Sequence, residues 1–205
     1  MADVDSLKSD VRELTKVYMS GSQEAFQAFR ALTDLLLRIT VLHPQGHLYL
    51  ERGPNKKRGT LGGLHPTLLL NNDRFLRLSI VLELFDTADG TRMKVTKSSF
   101  CYQSDFDGKE WIVRYEYDRN PPHPHPAAHL HLNAAALDDY CPKHRPLSKI
   151  HFPTRRMPLE AMIRLLVDQF EVQCNEPEEV WRPVVTEAEV AFLKIAHEVA
   201  SGPSK

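Results

Sequence analysis

Four of the chain's ten histidines lie within nine residues, from His123 to His131. Imidazole gives and takes protons near neutral pH, and it ligates metal ions. His123 and His125 alternate with prolines, which favour extended geometry in the residue before them. His129 and His131 alternate with leucines at the two-residue period of a β-strand. The pattern predicts that the leucines face a core and that both strand histidines face away from it.

Other polar residues fall on the same predicted face. Arg114 and Glu116 alternate with apolar residues in the preceding strand, and His151 is the outward residue of a short strand after the cluster. RNA cleavage without a metal needs a base, an acid, and a cation for the charge that develops on the phosphorus oxygens. The predicted catalytic residues are Arg114 for that charge and, for the base and the acid, two of His129, His131 and His151.

A basic stretch follows the histidines. Between Cys141 and Pro158 there are five lysines or arginines and no acidic residue. Such cations bind the phosphates of a nucleic acid backbone. Together with the two proline-flanked histidines they form the predicted substrate-binding set: His123, His125, Lys143, Arg145, Lys149, Arg155 and Arg156.

A metal site is the competing interpretation of the same face. Two imidazoles in a His-x-His pair can ligate one ion, which His151, Asp118 or Glu116 would complete. Cys141 and His144 add a Cys-x-x-His pair typical of structural zinc sites. The residues therefore leave two alternatives: no cofactor and acid–base chemistry, or zinc or manganese held by His129, His131, His151 and Asp118.

An α+β fold must position these residues. We predict a single domain over 1–205, with an antiparallel β-meander and with N-terminal and C-terminal helices packed on one face of it. Residues 1–43 form the N-terminal helical segment, 74–152 form the sheet with the histidine site, and 158–201 form the C-terminal helices. The last helix is predicted to begin at a capping box that starts at Thr186.

The meander is the clearest part of this prediction. Its strands are Phe75–Phe85, Thr91–Tyr102 and Glu110–Asp118, separated by Asp-Gly turns. The third strand is expected to place Trp111, Val113, Tyr115 and Tyr117 on the core side. The last helix is expected to carry Val190, Leu193, His197 and Ala200 on one side, and the glycine-rich basic stretch 52–63 is expected to be a loop.

The composition excludes several classes of protein. Hydrophobic residues make up 42% and charged residues 26% of the chain, with a net charge of −1, as in ordinary globular proteins. No apolar run approaches the ~20 residues needed to span a membrane. The N-terminus lacks the features of a signal peptide, and three widely spaced cysteines do not suggest a disulfide framework. We expect a cytoplasmic protein without a membrane partner, and no glycine motif predicts a nucleotide cofactor.

The run from Val113 to His125, followed by His129-Leu130-His131, resembles the TumE-type toxins of prokaryotic toxin–antitoxin pairs. In that family an Arg-Tyr strand leads to an Asp/Asn-Pro-His stretch, an H-x-H-like element, a short strand and a helix. The similarity extends over roughly 75–170 and is most specific within 110–152. It implies ribonuclease activity on RNA and an antitoxin or another protein as partner. A non-catalytic interaction module of a protein complex is the third alternative.

Overall fold

The computed structural model describes residues 3–22, 24–54, 56–62, 66–88, 90–133 and 147–200. Within these residues it contains four helices and an eight-stranded sheet, which confirms the predicted α+β fold with a strand meander. The helices are α1 (Val4–Met19), α2 (Ala25–Ile39), α3 (Leu159–Phe170) and α4 (Glu178–Ala200). The strands are β1 (Leu50–Arg52), β2 (Arg58–Leu61), β3 (Thr67–Leu69), β4 (Phe75–Thr87), β5 (Gly90–Gln103), β6 (Trp111–Asp118), β7 (Ala128–Leu132) and β8 (Phe152–Pro153).

The sheet is antiparallel throughout. Its strand order is β1-β2-β4-β5-β6-β7-β8, and β3 also pairs with β4. Strands that follow one another from β4 to β7 are neighbours, because short turns bring each strand back beside its predecessor. A strand of thirteen residues such as β4 can therefore align its whole apolar face against the helices.

One face of the sheet carries the hydrophobic core. Leu76 and Leu78 of β4 are fully buried, and Leu36 of α2, Met162 of α3 and Val184 of α4 are buried in the same cluster. Apolar residues recur at helical spacing in each helix, so each helix has one apolar side to bury. We call this side of the sheet the covered face and the opposite side the open face.

The last helix begins eight residues earlier than predicted. The Thr186 hydroxyl donates to the carbonyl of Arg182 instead of capping a helix, because α4 already begins at Glu178. The buried side of α4 therefore shifts toward its first half, and Val190 and Leu193 are 63% and 45% exposed. The acidic residues of the first turn, which follow Pro177, indicate the start of this helix. They were overlooked in favour of the capping box at Thr186.

The stretch predicted as a basic loop contains the β1–β2 hairpin. Arg58–Leu61 forms β2, and Gly59 within it faces the ring of Phe26 so closely that an added Cβ would lie 2.8 Å from a ring carbon. The Arg52 guanidinium lies 4.1 Å from the centre of the same ring. Glycine and arginine here serve packing against α2, and sequence patterning missed the strands because they are only three or four residues long.

A β-bulge changes the predicted faces of β6. The register with β5 shifts between Tyr102 and Gln103, so that Gln103 pairs with Trp111. Trp111 thereby lies on the side of Arg114, whose guanidinium carbon is 5.1 Å from its ring centre, and Ile112 packs against the core. The prediction that Trp111 faces the core was wrong, because a bulge interrupts the alternation of the strand.

The search for membrane spans gave none: among the described helices, no segment has the length and apolar character that crossing a bilayer requires.

Candidate functional site

Strand pairing places the two histidines of β7 beside a strand that carries complementary side chains. His131 pairs with Arg114 and His129 pairs with Glu116 on the neighbouring β6. Directly opposed residues of antiparallel strands point to the same face, so all four side chains lie together on the open face. The leucines that alternate with the histidines pack against the core, as their spacing predicts.

Both histidines are buried, although they lie on the open face. His129 is 7% and His131 is 3% exposed. The chain that follows β7 returns as a 3-10 turn at Leu147–Lys149 and as β8, which pairs with β7. Burial of polar rings is unfavourable unless their nitrogens find partners, so the partners of each ring nitrogen indicate what the site can bind.

The Nδ1 atoms of these histidines face backbone carbonyls. His129 Nδ1 lies 3.2 Å from the Pro126 oxygen, and His131 Nδ1 lies 3.3 Å from the Ser148 oxygen. A carbonyl can only accept a hydrogen bond, so each Nδ1 carries a proton, and each ring is either neutral with a bare Nε2 or protonated on both nitrogens. The Nε2 atom of each neutral ring is then a bare acceptor. Metal-binding histidines are commonly held in this way.

The two Nε2 atoms converge on one carboxylate oxygen. Glu116 Oε2 is 3.2 Å from His129 Nε2 and 3.2 Å from His131 Nε2. Nε2 of His131 is buried and makes no hydrogen bond to any described residue. Bare acceptors at this distance repel one another unless a proton or a cation lies between them.

His151 completes a cluster of three histidines. Its ring centre is 4.6 Å from those of His129 and His131, and one ring nitrogen of each histidine lies within 4.8 Å of the others. Three histidines with a nearby carboxylate are a common ligand set for zinc and related divalent ions. We call His129, His131, His151 and Glu116 the histidine centre.

Arg114 lies beside the centre on the same face. Its Nε is 3.3 Å from the second carboxylate oxygen of Glu116, while the guanidinium also lies against the ring of Trp111. Burial lowers the pKa of His131, and the positive charge of Arg114 lowers it further. The neutral form of His131, which is the form that ligates metals, is therefore favoured.

A cleft of about 380 Å³ gives access to the centre. Glu116, His129 and His151 line one side of it, and Ser99 of β5 lines another. His125 also borders the cleft, with its ring centre 4.6 Å from that of His151. The centre is thus closed toward the sheet and open toward a space that could hold a substrate.

Several predicted residues lie away from the centre. Asp118 lines the same cleft but forms an ion pair of 2.8 Å with Lys97, and hydrogen bonding to Lys97 lowers its pKa. Arg156 lies on the helix side of the sheet, over the rings of Tyr117 and Phe192. His123 and Arg155 are exposed in the segments that flank β7 and α3.

The remaining predicted residues belong to the chain that follows β7. Lys149 is exposed at the end of the 3-10 turn next to β7. Lys143 and Arg145, together with Cys141 and His144, lie outside the described residues. The predictions for these four residues therefore stay predictions.

Glu116 is the functional candidate that sequence reasoning undervalued. It was predicted only as one of three carboxyl or imidazole groups that would complete a metal site. Its alternation with Arg114 was visible in the sequence, but its role depends on pairing with His129 thirteen residues later. No local pattern distinguishes Glu116 from Asp118, since both lie on the same face of β6.

Comparison with protein-family models, with curated proteins and with solved structures found no match to this chain.

Proposed function

We propose that the protein is a metal-dependent hydrolase acting on RNA, in which His129, His131 and His151 hold a divalent ion such as zinc or manganese. The observation that supports this most is the convergence of two buried Nε2 atoms on one carboxylate oxygen, while each Nδ1 faces a carbonyl. RNA as the substrate comes from the resemblance to the TumE-type toxins.

The proposed reaction is hydrolysis of a phosphodiester, for which an ion held by the three histidines would supply an activated water. Three histidines and one open position are typical of catalytic zinc, which lowers the pKa of its bound water to about 7. Glu116, whose Oε2 atom lies 3.2 Å from two of these histidines, would accept the proton of that water. It would return the proton to the leaving sugar oxygen as the bond from phosphorus to that oxygen breaks and the water oxygen takes its place on phosphorus.

Arg114 has a positioning role in this scheme. Its guanidinium lies against one carboxylate oxygen of Glu116 and leaves the other oxygen directed at the histidines. Groups that orient a ligand or a base commonly change metal affinity or activity ten- to a hundredfold when they are removed. The same cation is also available to the phosphate oxygens on which charge develops.

Metal-independent cleavage of RNA is the second candidate, and the contact of Glu116 with both histidines favours it as well. A carboxylate beside two imidazoles can stabilise a proton shared among them. One imidazole would take the proton of the ribose 2′-hydroxyl, whose oxygen attacks phosphorus. The other would protonate the departing 5′-oxygen, which leaves a 2′,3′-cyclic phosphate.

Cleavage of end-labelled RNA by the purified protein tests both candidates. The metal content is measured by elemental analysis, and cleavage is followed before chelation, after chelation and after adding back zinc or manganese. We expect about one bound ion per chain, loss of cleavage on chelation, its recovery on add-back, and linear phosphate ends. Cleavage that survives chelation and leaves cyclic phosphate ends would replace the first candidate by the second.

A matched pair of carboxylate variants tests the role of Glu116. Glu116→Gln should keep the ion and lower the cleavage rate at least a hundredfold, the usual size of a general-base contribution. Asp118→Asn, on the same strand and face but paired with Lys97, should keep both properties. A protein with neither metal nor cleavage contradicts both candidates and supports the non-catalytic interaction module.

A further inference from the structure

The open face carries a second group of side chains next to the histidine centre. In the paired strands, Arg77 of β4 lies opposite Cys101 of β5, Cys101 lies opposite Arg114 of β6, and Arg114 lies opposite His131 of β7. One row across four strands therefore contains two arginines and ends at the centre. Arg77 is exposed and Arg114 is half-buried.

Aromatic side chains lie in the adjacent row. The bulge in β6 brings Trp111 to this face, where Arg114 contacts its ring. Phe106, in the turn between β5 and β6, is 62% exposed and contacts Phe75 edge to face at 5.9 Å. More than half of the Phe106 side chain is therefore open to solvent and available to a ligand.

The acidic residues of the same turn have partners within it. The Asp105 carboxylate accepts hydrogen bonds from the backbone amides of Lys109 and Glu110. Asp107 lies 3.3 Å from the ammonium group of Lys109. These contacts occupy the carboxylates of Asp105 and Asp107, while the charge of Arg114 is partly balanced by Glu116, so Arg77 contributes most to the positive field above the row.

We propose that Arg77, Phe106, Trp111 and Arg114, which we call the arginine–aromatic strip, bind single-stranded RNA and lead it to the histidine centre. This inference rests on the proposed function, for which it names the form of the substrate. Arginines match the phosphates of the strand, and exposed aromatic rings stack on unpaired bases. A flat β-sheet with aromatic residues on its open face is a recurrent platform for single-stranded RNA.

The length of the strip suits a short stretch of RNA. The row from β4 to β7 crosses three interstrand spacings, roughly 14 Å, which matches about four nucleotides at the rise of a stacked strand. In a duplex the faces of the bases are stacked on one another, so they cannot also stack on the exposed Phe106 ring. The strip therefore selects unpaired RNA and not merely negative charge.

The test measures binding and metal content separately. Binding of a fluorescein-labelled, 2′-O-methylated oligonucleotide of about twelve nucleotides is followed by fluorescence anisotropy, and its integrity is checked on a gel. Phe106→Ala should weaken binding about five- to hundredfold, as expected for the loss of one stacked base. Arg77→Ala should weaken binding and reduce the slope of its salt dependence by about one phosphate contact. Both variants should keep the metal content of the unmodified protein.

Matched controls lie elsewhere on the surface. Tyr49→Ala removes an aromatic side chain that is 50% exposed beside β1, and Arg12→Ala removes an arginine whose side chain is 61% exposed on α1. Both should bind the oligonucleotide like the unmodified protein. An equal loss of affinity in these controls, or equal affinity for a duplex of the same sequence, would overturn the assignment of the strip.

The outcomes separate this inference from the proposed function. A protein that holds metal but does not bind the oligonucleotide overturns the strip and leaves the histidine centre standing. A protein that binds the oligonucleotide through Phe106 and Arg77 but holds no metal supports the strip and overturns the metal-dependent candidate.

Discussion

The same strands contribute side chains to both faces of the sheet, and the two faces have different roles. On the covered face, Leu76 and Leu78 are fully buried and belong to the hydrophobic core cluster. On the open face, Arg77 is exposed and Ser79 is half-buried on the same strand. Alternation lets one strand contribute stability on one side and chemistry on the other, because its successive side chains point in opposite directions.

Burial has a different meaning on each face. The covered face buries hydrocarbon, which is favourable without any partner. The open face buries His129 and His131, whose rings need partners for both nitrogens. Their Nδ1 atoms have carbonyls, whereas their Nε2 atoms share one carboxylate oxygen. A buried group of acceptors on an otherwise polar surface is therefore a better sign of ligand binding than the number of histidines.

The largest expected effect on stability comes from a substitution in the covered face. Leu78→Ala should lower the free energy of unfolding by about 3 to 5 kcal/mol, because it leaves a cavity at a fully buried position. Ser79→Ala, the next residue on the same strand, should change it by less than about 0.5 kcal/mol. Urea unfolding followed by circular dichroism measures both. Equal losses would mean that the two faces do not divide stability and chemistry as described.

The second effect concerns a carboxyl group of the covered face. Burial raises the pKa of Glu160 to about 7, and repulsion from Glu189 adds to the shift. The native state therefore holds this proton more tightly than the unfolded chain. The stabilisation is complete below about pH 4.5 and is lost as the pH rises to about 7, by on the order of 3 kcal/mol in total.

Glu160→Gln should remove this part of the pH dependence, since an amide does not titrate. Urea unfolding at several values between pH 4.5 and 7.5 measures the slope. Glu179→Gln, at an exposed position of α4, is the matched control and should keep the slope of the unmodified protein. An unchanged slope in Glu160→Gln would show that the buried carboxyl group is not responsible.

The smallest of the three expected effects is the stabilisation of the protein by zinc bound at the open face. A ligand that binds only the native state at one hundred times its Kd stabilises it by about 2.7 kcal/mol. Zinc at that concentration should raise the melting temperature of the unmodified protein but not that of His131→Ala. His123→Ala, an exposed histidine of the same sequence cluster, should retain the shift. A zinc shift that survives in His131→Ala, or disappears in His123→Ala, would place the ion elsewhere.

Patterns within single elements were reliable in the sheet. The alternation of β4 predicted its buried leucines, and the alternation of β7 predicted that His129 and His131 face away from the core. Both features follow from the two-residue period of a strand, which can be read from the sequence without knowledge of the fold. The start of α4 and the short strands β1 to β3 were missed, because a capping box also fits the interior of a helix and short strands carry too little periodicity.

By itself, the sequence determined the α+β class, the apolar face of the meander and the common direction of His129, His131, Arg114 and Glu116. Local periodicity carries all of this information. Only the tertiary structure decided that His151 returns to these residues, that Glu116 and not Asp118 meets them, that Trp111 changes sides and that Arg156 lies under the helices. Those outcomes depend on strand register, a bulge and the path of the chain after β7, which are set by contacts between distant residues.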